Sequence, residues 1–160
     1  MEELLKGDTD DQDDRTRNKN SEVIILPRKV NEHGHSYGLG KRKAAIARAW
    51  LRPGTGVVMV NNMLAADYFG TVLGKFRVSK PFAVTASVDQ FDVHCTVKGG
   101  GLSGQADAVS LAVSRALQSY DPPKRLALKV YNLLTRDSRE VERKKPGRAK
   151  ARKAFQWVKR

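Results

Sequence analysis

The sequence predicts an α/β (α+β) two-layer domain with a polar arm at each end. One strand-length segment alternates apolar and polar residues. Two later segments repeat apolar residues at helical spacing. Both ends of the chain are dense in charge and poor in large apolar groups.

The elements follow in order. Residues 1–35 form an acidic N-terminal extension: MEELLKGDTDDQDDRTRNKN has little to bury and is expected to stay chain-like. Val23–Pro27 is an apolar island within it that could dock on a neighbour. The globular part begins near Ser36. Tyr37–Arg52 is ambiguous, because its alanines and basic residues favour helix by propensity. Pro53-Gly54-Thr55-Gly56 is a turn and Val57–Val60 a short strand, so a strand–turn–strand hairpin competes with the helix. Met63–Phe69 and Val72–Val78 suggest short helices, ended by Gly70 and Pro81.

Phe91–Lys98 is the clearest strand. Phe91, Val93, Cys95 and Val97 point one way; Asp92, His94, Thr96 and Lys98 point the other. Gly99–Gly101 breaks it. A helix then runs from about Gly104 to Tyr120, with Ala106, Val109, Val113, Ala116, Leu117 and Tyr120 as its core stripe. Asp121 is the expected N-cap of a last helix with Pro122 in its first turn. Leu126, Val130, Leu133 and Leu134 would form its apolar face. The globular domain spans residues 36–134, and the basic C-terminal tail residues 135–160.

Charge is distributed unevenly. The 160 residues carry a formal +13. Residues 1–34 hold nine acids and six bases; residues 121–160 hold four acids and fourteen bases. The last eighteen residues, Arg143–Arg160, hold nine Lys or Arg and no acid. Only Phe155, Trp157 and Val158 are large apolar groups there, so the tail cannot fold alone. It calls for a polyanion, and its aromatics suit stacking on bases. A membrane is a poorer partner, since no apolar run reaches spanning length and the tail has no amphipathic stripe. The single cysteine, Cys95, excludes a disulfide within the chain and a multi-cysteine zinc site. Met1–Asp14 has no apolar core, which argues against a secretory signal, and its acidity argues against an intact mitochondrial presequence.

Three constellations could touch RNA. In Lys98–Ala106, the residues Lys98, Gly99, Gly100, Gly101, Gly104 and Gln105 stand between a strand and a helix. There the backbone can approach a phosphate and helix N–H groups can hold it. No Lys-Ser or Lys-Thr follows, so this is not a Walker loop. The alternative is a tight strand–helix connection without a ligand. Lys41, Arg42 and Lys43, with Arg48, form a basic cluster for RNA or a solvated face. In Thr135–Lys145, Arg136, Arg139, Arg143, Lys144 and Lys145 alternate with Asp137, Glu140 and Glu142. The acids could aim the guanidinium groups at phosphate, or the segment could be a salt-bridged helix surface. No cofactor, metal site or catalytic arrangement is indicated. His33, His35 and His94 lack ligand spacing, and Cys95 lies on an apolar face.

Three segments together carry a resemblance. YGLGKRKAAIARAWLRPGTG is similar to Y-x-T-G-[KR]-R-K-x-x-x-A-R-x-x-[LIV]-x-x-G-x-G. VKGGGLSGQADA is similar to V-x-G-G-G-x-[ST]-G-Q-A-x-A. LLTRDSREVERKKPGRAKARKAFQWVKR is similar to L-T-R-D-x-R-x-x-E-R-K-K-x-G-x-x-K-A-R-x-x-x-Q-x-x-K-R. Across Ser36–Arg160 the chain resembles the small-subunit ribosomal protein nine family of bacterial and organellar type.

The resemblance implies a ribosomal-protein-S-five-domain-two-like fold, with Lys41–Arg52 in a β-strand. It implies small-subunit rRNA in the 3′ major domain of the head as partner, beside neighbouring ribosomal proteins. It extends the rRNA contacts to Arg148, Lys150, Arg152 and Lys153, and places Lys159 and Arg160 at the anticodon stem-loop of P-site tRNA. Leu39 stands where Thr is common, Asp107 where Gly is usual, and Asn132 where a Gly precedes LTRD. Asn tolerates a positive φ, so that turn can survive. The QWVKR ending and the N-terminal segment favour a mitochondrial ribosome, in the matrix, over one in a bacterial cytoplasm. Two rivals are weaker. Gly101–Ala106 is distantly similar to the G-L-x-S-S-A loop of small-molecule kinases, but no catalytic acid or base is evident. A free RNA-binding or chaperone protein would also use basic arms.

Overall fold

Alternation of small residues builds the first two strands. In the computed structural model, which describes residues 27–158, β1 (Ser36–Arg42) and β2 (Ala45–Pro53) pair antiparallel from Ser36 opposite Leu51 to Arg42 opposite Ala45. Ala45, Ala47, Ala49 and Leu51 are fully buried, while Ile46, Arg48 and Arg52 point outward. The strand reading of this segment therefore holds over the helical one, with one correction. Lys41–Arg52 is broken at Lys43–Ala44, where Lys43 adopts a positive φ of 51° and turns the chain. Burial of a period-two face outweighs the helix propensity of alanine.

The Pro53–Gly56 turn exists but does not close a hairpin. β3 (Val58–Val60) pairs in parallel with β5 (Phe91–Lys98), and β5 lies between it and β2. The five-stranded order is β1-β2-β5-β3-β4, with β4 (Met63–Leu64) at the edge. Asp92 on β5 holds the turn by accepting from the Thr55 and Val57 amides at 2.9 and 3.1 Å. Those two hydrogen bonds, with the nearby Arg52 guanidinium, lower the Asp92 pKa. The expected Met63–Phe69 helix thus starts as a strand and is helical only over α1 (Ala65–Tyr68).

Pro81 does not end the next helix. α2 (Val72–Val84) begins at Thr71, whose hydroxyl accepts from the Gly74 amide, and passes through the buried Pro81. Proline removes the amide that would bond Arg77, yet Val78, Pro81 and Phe82 are all buried on one face and keep the helix seated. The helix closes at Ala86, φ +48°, with the Ser87 amide donating to Phe82 and the Ala86 amide to Ala83.

α3 (Leu102–Tyr120) covers one face of the sheet, starting two residues before Gly104. It lies directly on the backbone of β1. A Cβ at Gly38 would collide with the Ala112 carbonyl, and one at Gly40 with that of Ala108. The Ser36 hydroxyl donates to the Ala116 carbonyl at 2.8 Å, and Arg115 donates to the Leu39 carbonyl. The expected stripe is buried: Ala106, Val109, Val113, Ala116 and Leu117 join Val93, Cys95 and Val97 in the core, with Tyr120 at its margin. Burial pushes the Cys95 thiol up to about 12, so it stays a neutral core group.

The last helix differs from expectation. A 3₁₀ turn at Pro122–Lys124 leads into α4 (Arg125–Val130). The Asp121 side chain makes no capping bond; it pairs with Lys124 instead. Leu126 and Val130 are 57 and 77% exposed, and Leu128 is the residue that α4 buries. Leu133 and Leu134 pack against the core as expected. Asn132 has φ +55°, with its amide donating to Lys129 and the Leu133 amide to Leu128, so the turn expected of it forms. Contacts begin ahead of Ser36: the Lys29 amide donates to Ser119 and the Arg28 guanidinium lies 4.2 Å from the Tyr120 ring centroid. Val23–Leu26, most of the apolar island, lies outside the described residues.

Candidate nucleic-acid interface

The glycine loop is built by its backbone. Gly99 and Gly100 have φ of +74° and +68°, and a Cβ on either would press on Ala44 or Ala45 of the β1–β2 connection. These two glycines make a tight strand–helix connection in which a side chain has no room. Gly101, by contrast, has open space where its Cβ would be, and it precedes α3 without a side-chain cap. The first N–H groups of a 19-residue helix thus open toward solvent beside exposed Leu102 and Ser103. Gly104 is buried against Arg42 and Ala45.

A polar chain braces this loop. Gln105 donates to the Gly99 carbonyl at 3.1 Å and accepts from the Tyr68 hydroxyl at 2.9 Å. Asn61 carries the chain onward, donating to the Val97 carbonyl and accepting from the Val97 amide. Gln105 is thus half-buried and occupied within the protein. Tyr68 and Asn61 were not found from the sequence, since nothing local links residues 36–37 positions away.

The arm is rooted beside the same loop. Arg42 is 14% exposed and pairs with Asp137 at 2.9 Å and Asp107 at 3.7 Å, while donating to the Arg139 carbonyl at 2.8 Å. Asp107 also pairs with Arg77 at 2.9 Å, and Arg77 donates to the Ser103 hydroxyl. Asp137 in turn grips the Arg139 guanidinium, accepting from Nε at Oδ1 and from Nη2 at Oδ2. Arg77, Asp107, Arg42, Asp137 and Arg139 thereby link α2, α3, β1 and the start of the arm. Hydrogen bonds from Arg139, with the charge of Arg42 behind them, hold the Asp137 carboxyl well below the usual carboxylate range. Arg42 is thus an anchor for the arm, with its guanidinium already engaged.

Beyond the root the described residues of the arm have no regular secondary structure, so the salt-bridged helix over Thr135–Lys145 does not form. The acids do aim arginines. Glu140 pairs with Arg136, and Glu142 holds Arg152 at 2.7 and 2.9 Å, which lowers the Glu142 pKa and raises that of Arg152. Arg148 donates to the Arg152 carbonyl. Arg143, Lys144, Lys145, Lys150 and Lys153 are exposed, with no ion pair among the described residues. Phe155 and Trp157 are 64 and 96% exposed. Lys159 and Arg160 lie outside the described residues.

Lys41, Arg48 and Lys98 are exposed on the sheet beside the loop, and Lys43 is exposed in the β1–β2 turn. Lys41 and Lys98 flank Ile46 across three strands. The basic turn, the open helix N-terminus and the root of the arm therefore converge at one end of the body. No group of three His, Cys, Asp or Glu among the described residues could hold a metal, and no described helix is long and apolar enough to cross a membrane.

A family model described as Ribosomal protein S9/S16 matches residues 40–160. The chain belongs to the ribosomal protein S9 family. It is also 50% identical over 133 residues to small ribosomal subunit protein uS9m of Arabidopsis thaliana, covering 83% of this chain. The chain spans 31% of the length of that relative. The family match takes in the basic turn, the glycine loop and the whole arm.

Proposed function

We propose that this chain is a structural component of the small subunit of a mitochondrial ribosome. In this reading the body, residues 36–134, docks on small-subunit rRNA in the head. The tail, residues 135–160, runs along RNA toward the P site, and residues 1–35 form an acidic extension whose last residues, from Arg28, pack on the body. The body is read as ribosomal-protein-S-five-domain-two-like, which its α3-on-sheet layering supports.

One observation carries the reading. The arm is fastened to the body at Arg42 and Asp137, beside the open end of α3, and then presents unpaired cations with no fold of its own. A segment of this kind gains structure only by neutralising a polyanion. Lys41, Lys43, Arg48 and Lys98 contact phosphate at the body, with the Gly101 end of α3. Arg136, Arg139, Arg143, Lys144, Lys145, Arg148, Lys150, Arg152 and Lys153 continue the contact along the arm. Lys159 and Arg160 neutralise phosphates of the P-site tRNA anticodon stem-loop. Such contacts are blind to sequence, as a site that must accept every tRNA requires.

Sedimentation of the tagged chain tests the assembly claim: it should travel with mitochondrial small subunits and survive a high-salt wash. A peak at the top of the gradient would contradict it. Deleting Lys159 and Arg160 should leave assembly unchanged and weaken P-site tRNA binding. Unaltered tRNA affinity in such ribosomes would remove the P-site contact.

A further inference from the structure

Among the described residues no helix covers the sheet face opposite α3, and its side chains form four cross-strand rows. Lys41, Ile46 and Lys98 make the row nearest the glycine loop; Leu39, Arg48 and Thr96 the next; Tyr37, Trp50, His94 and Met59 the third. Arg52 and Asp92 stand in the fourth. Rows are about 7 Å apart, two residues along a strand. Cations thus crowd one end of the face and aromatics occupy its middle.

The aromatics form a platform rather than a core. Trp50 lies 5.7 Å from Tyr37 and 5.9 Å from His94 between ring centroids, tilted by 54° and 45°. Tyr37 is 43% exposed on a face that water reaches. The turn at Asn31–His35, closed by hydrogen bonds from the Asn31 amide to His35 and from the Gly34 amide to Asn31, stands over the far end. Between turn and sheet is a groove of about 500 Å³. Asn31, His33 and His35 form one wall, and Trp50, Met59 and His94, with the paired Arg52 and Asp92, line the sheet side. That volume lies within the range of small-ligand clefts.

The chemistry selects the occupant. Asp92 is the one acid of the four rows, and it is engaged by Arg52 at 3.5 Å and by two backbone amides. Lys41, Arg48 and Lys98 are exposed together at one end of the face. A cationic track leading to an aromatic floor, with amide and imidazole groups on the opposite wall, fits a base and its flanking phosphates. We propose that the RNA surface of the body extends from Lys41, Arg48 and Lys98 across the open sheet face to its aromatic groove. An unpaired rRNA nucleotide stacks in the Trp50–His94 groove, and its flanking phosphates lie on Arg48, Lys41 and Lys98. This rests on the reading of the chain as a ribosomal component.

The test uses intact small subunits containing the full chain with a photo-crosslinking benzoylphenylalanine at Tyr37 or, in a second variant, at Met59. An adduct to rRNA is expected, reduced about ten-fold by Trp50→Ala and kept by Trp50→Phe. An adduct only to a neighbouring protein, or none, would overturn the proposal. Absence of the unsubstituted tagged chain from subunits would instead contradict the ribosomal reading. A second measurement is independent of assembly. In the Trp157→Phe chain, Trp50 emission should be quenched by a uridine dodecamer and not by inorganic polyphosphate. Equal responses to both, or no response, would also overturn it.

Discussion

The body and the arm are held by opposite means. In the body, α3 lies so close to β1 that glycine is required at positions 38 and 40, and Leu51, Leu117 and Val113 exclude water completely. In the arm, the described residues past Arg139 are nearly all exposed and are tied by exposed ion pairs such as Arg152–Glu142. Exposed pairs contribute little to stability. Apolar burial therefore sets the shape of the body, and the described part of the arm has no such burial to set its own.

The largest effect should come from the arm on RNA binding. Changing Arg143, Lys144, Lys145, Arg148, Lys150, Arg152 and Lys153 to Gln should cost about a thousand-fold in rRNA affinity at moderate salt. It should also flatten the salt dependence by about 0.9 per lost phosphate contact. Thermal unfolding should stay where it was, because these side chains touch no core residue. Leu117→Ala should do the reverse. It opens a cavity under α3 and should destabilise the body by about 3 kcal/mol in denaturant unfolding, leaving the arm's salt slope unchanged.

Two smaller changes probe the joint between the regions. Arg42→Gln removes the shared partner of Asp107 and Asp137, and should destabilise by about 1–2 kcal/mol. Amide exchange should speed up at Arg139, whose N–H donates at 2.9 Å to the Asp137 carboxylate that Arg42 pairs with. The Asp137 carboxyl has a folded pKa below its ordinary 3.8. Its contribution is thus present above that value and is lost as pH falls through the lower folded value, so acid should loosen the arm root below about pH 4. The smallest effect is a gain. Ala86→Gly relieves a left-handed alanine at the end of α2 and should stabilise by about 0.5–1 kcal/mol in the same unfolding measurement.

Legibility in the sequence follows the same division. β5 and α3 were readable because Val93, Cys95 and Val97, and then Val109, Val113 and Leu117, are large enough to show their period. β1 and β2 were not, because their buried face is Gly38, Gly40, Ala45, Ala47 and Ala49. Residues chosen small for close packing look helical or featureless. Pro81 misled because burial on both sides of it keeps α2 continuous. Leu128 was missed because Leu126 and Val130 offered an equally apolar face that the fold leaves in water. The basic and glycine segments could be found from composition alone. Their convergence could not, since it depends on the Arg42–Asp137 and Asp107–Arg77 pairs, which join residues distant in sequence. The platform of Tyr37, Trp50 and His94 also arises only from strand register.

Hydrogen exchange, followed residue by residue in the free chain and in purified small subunits, tests the contrast most directly. The account predicts amides of α3 and β5 protected in both states, and amides from Glu140 to Val158 unprotected in the free chain and protected in the subunit. An arm already protected in the free chain, or one still unprotected in the subunit, would contradict it.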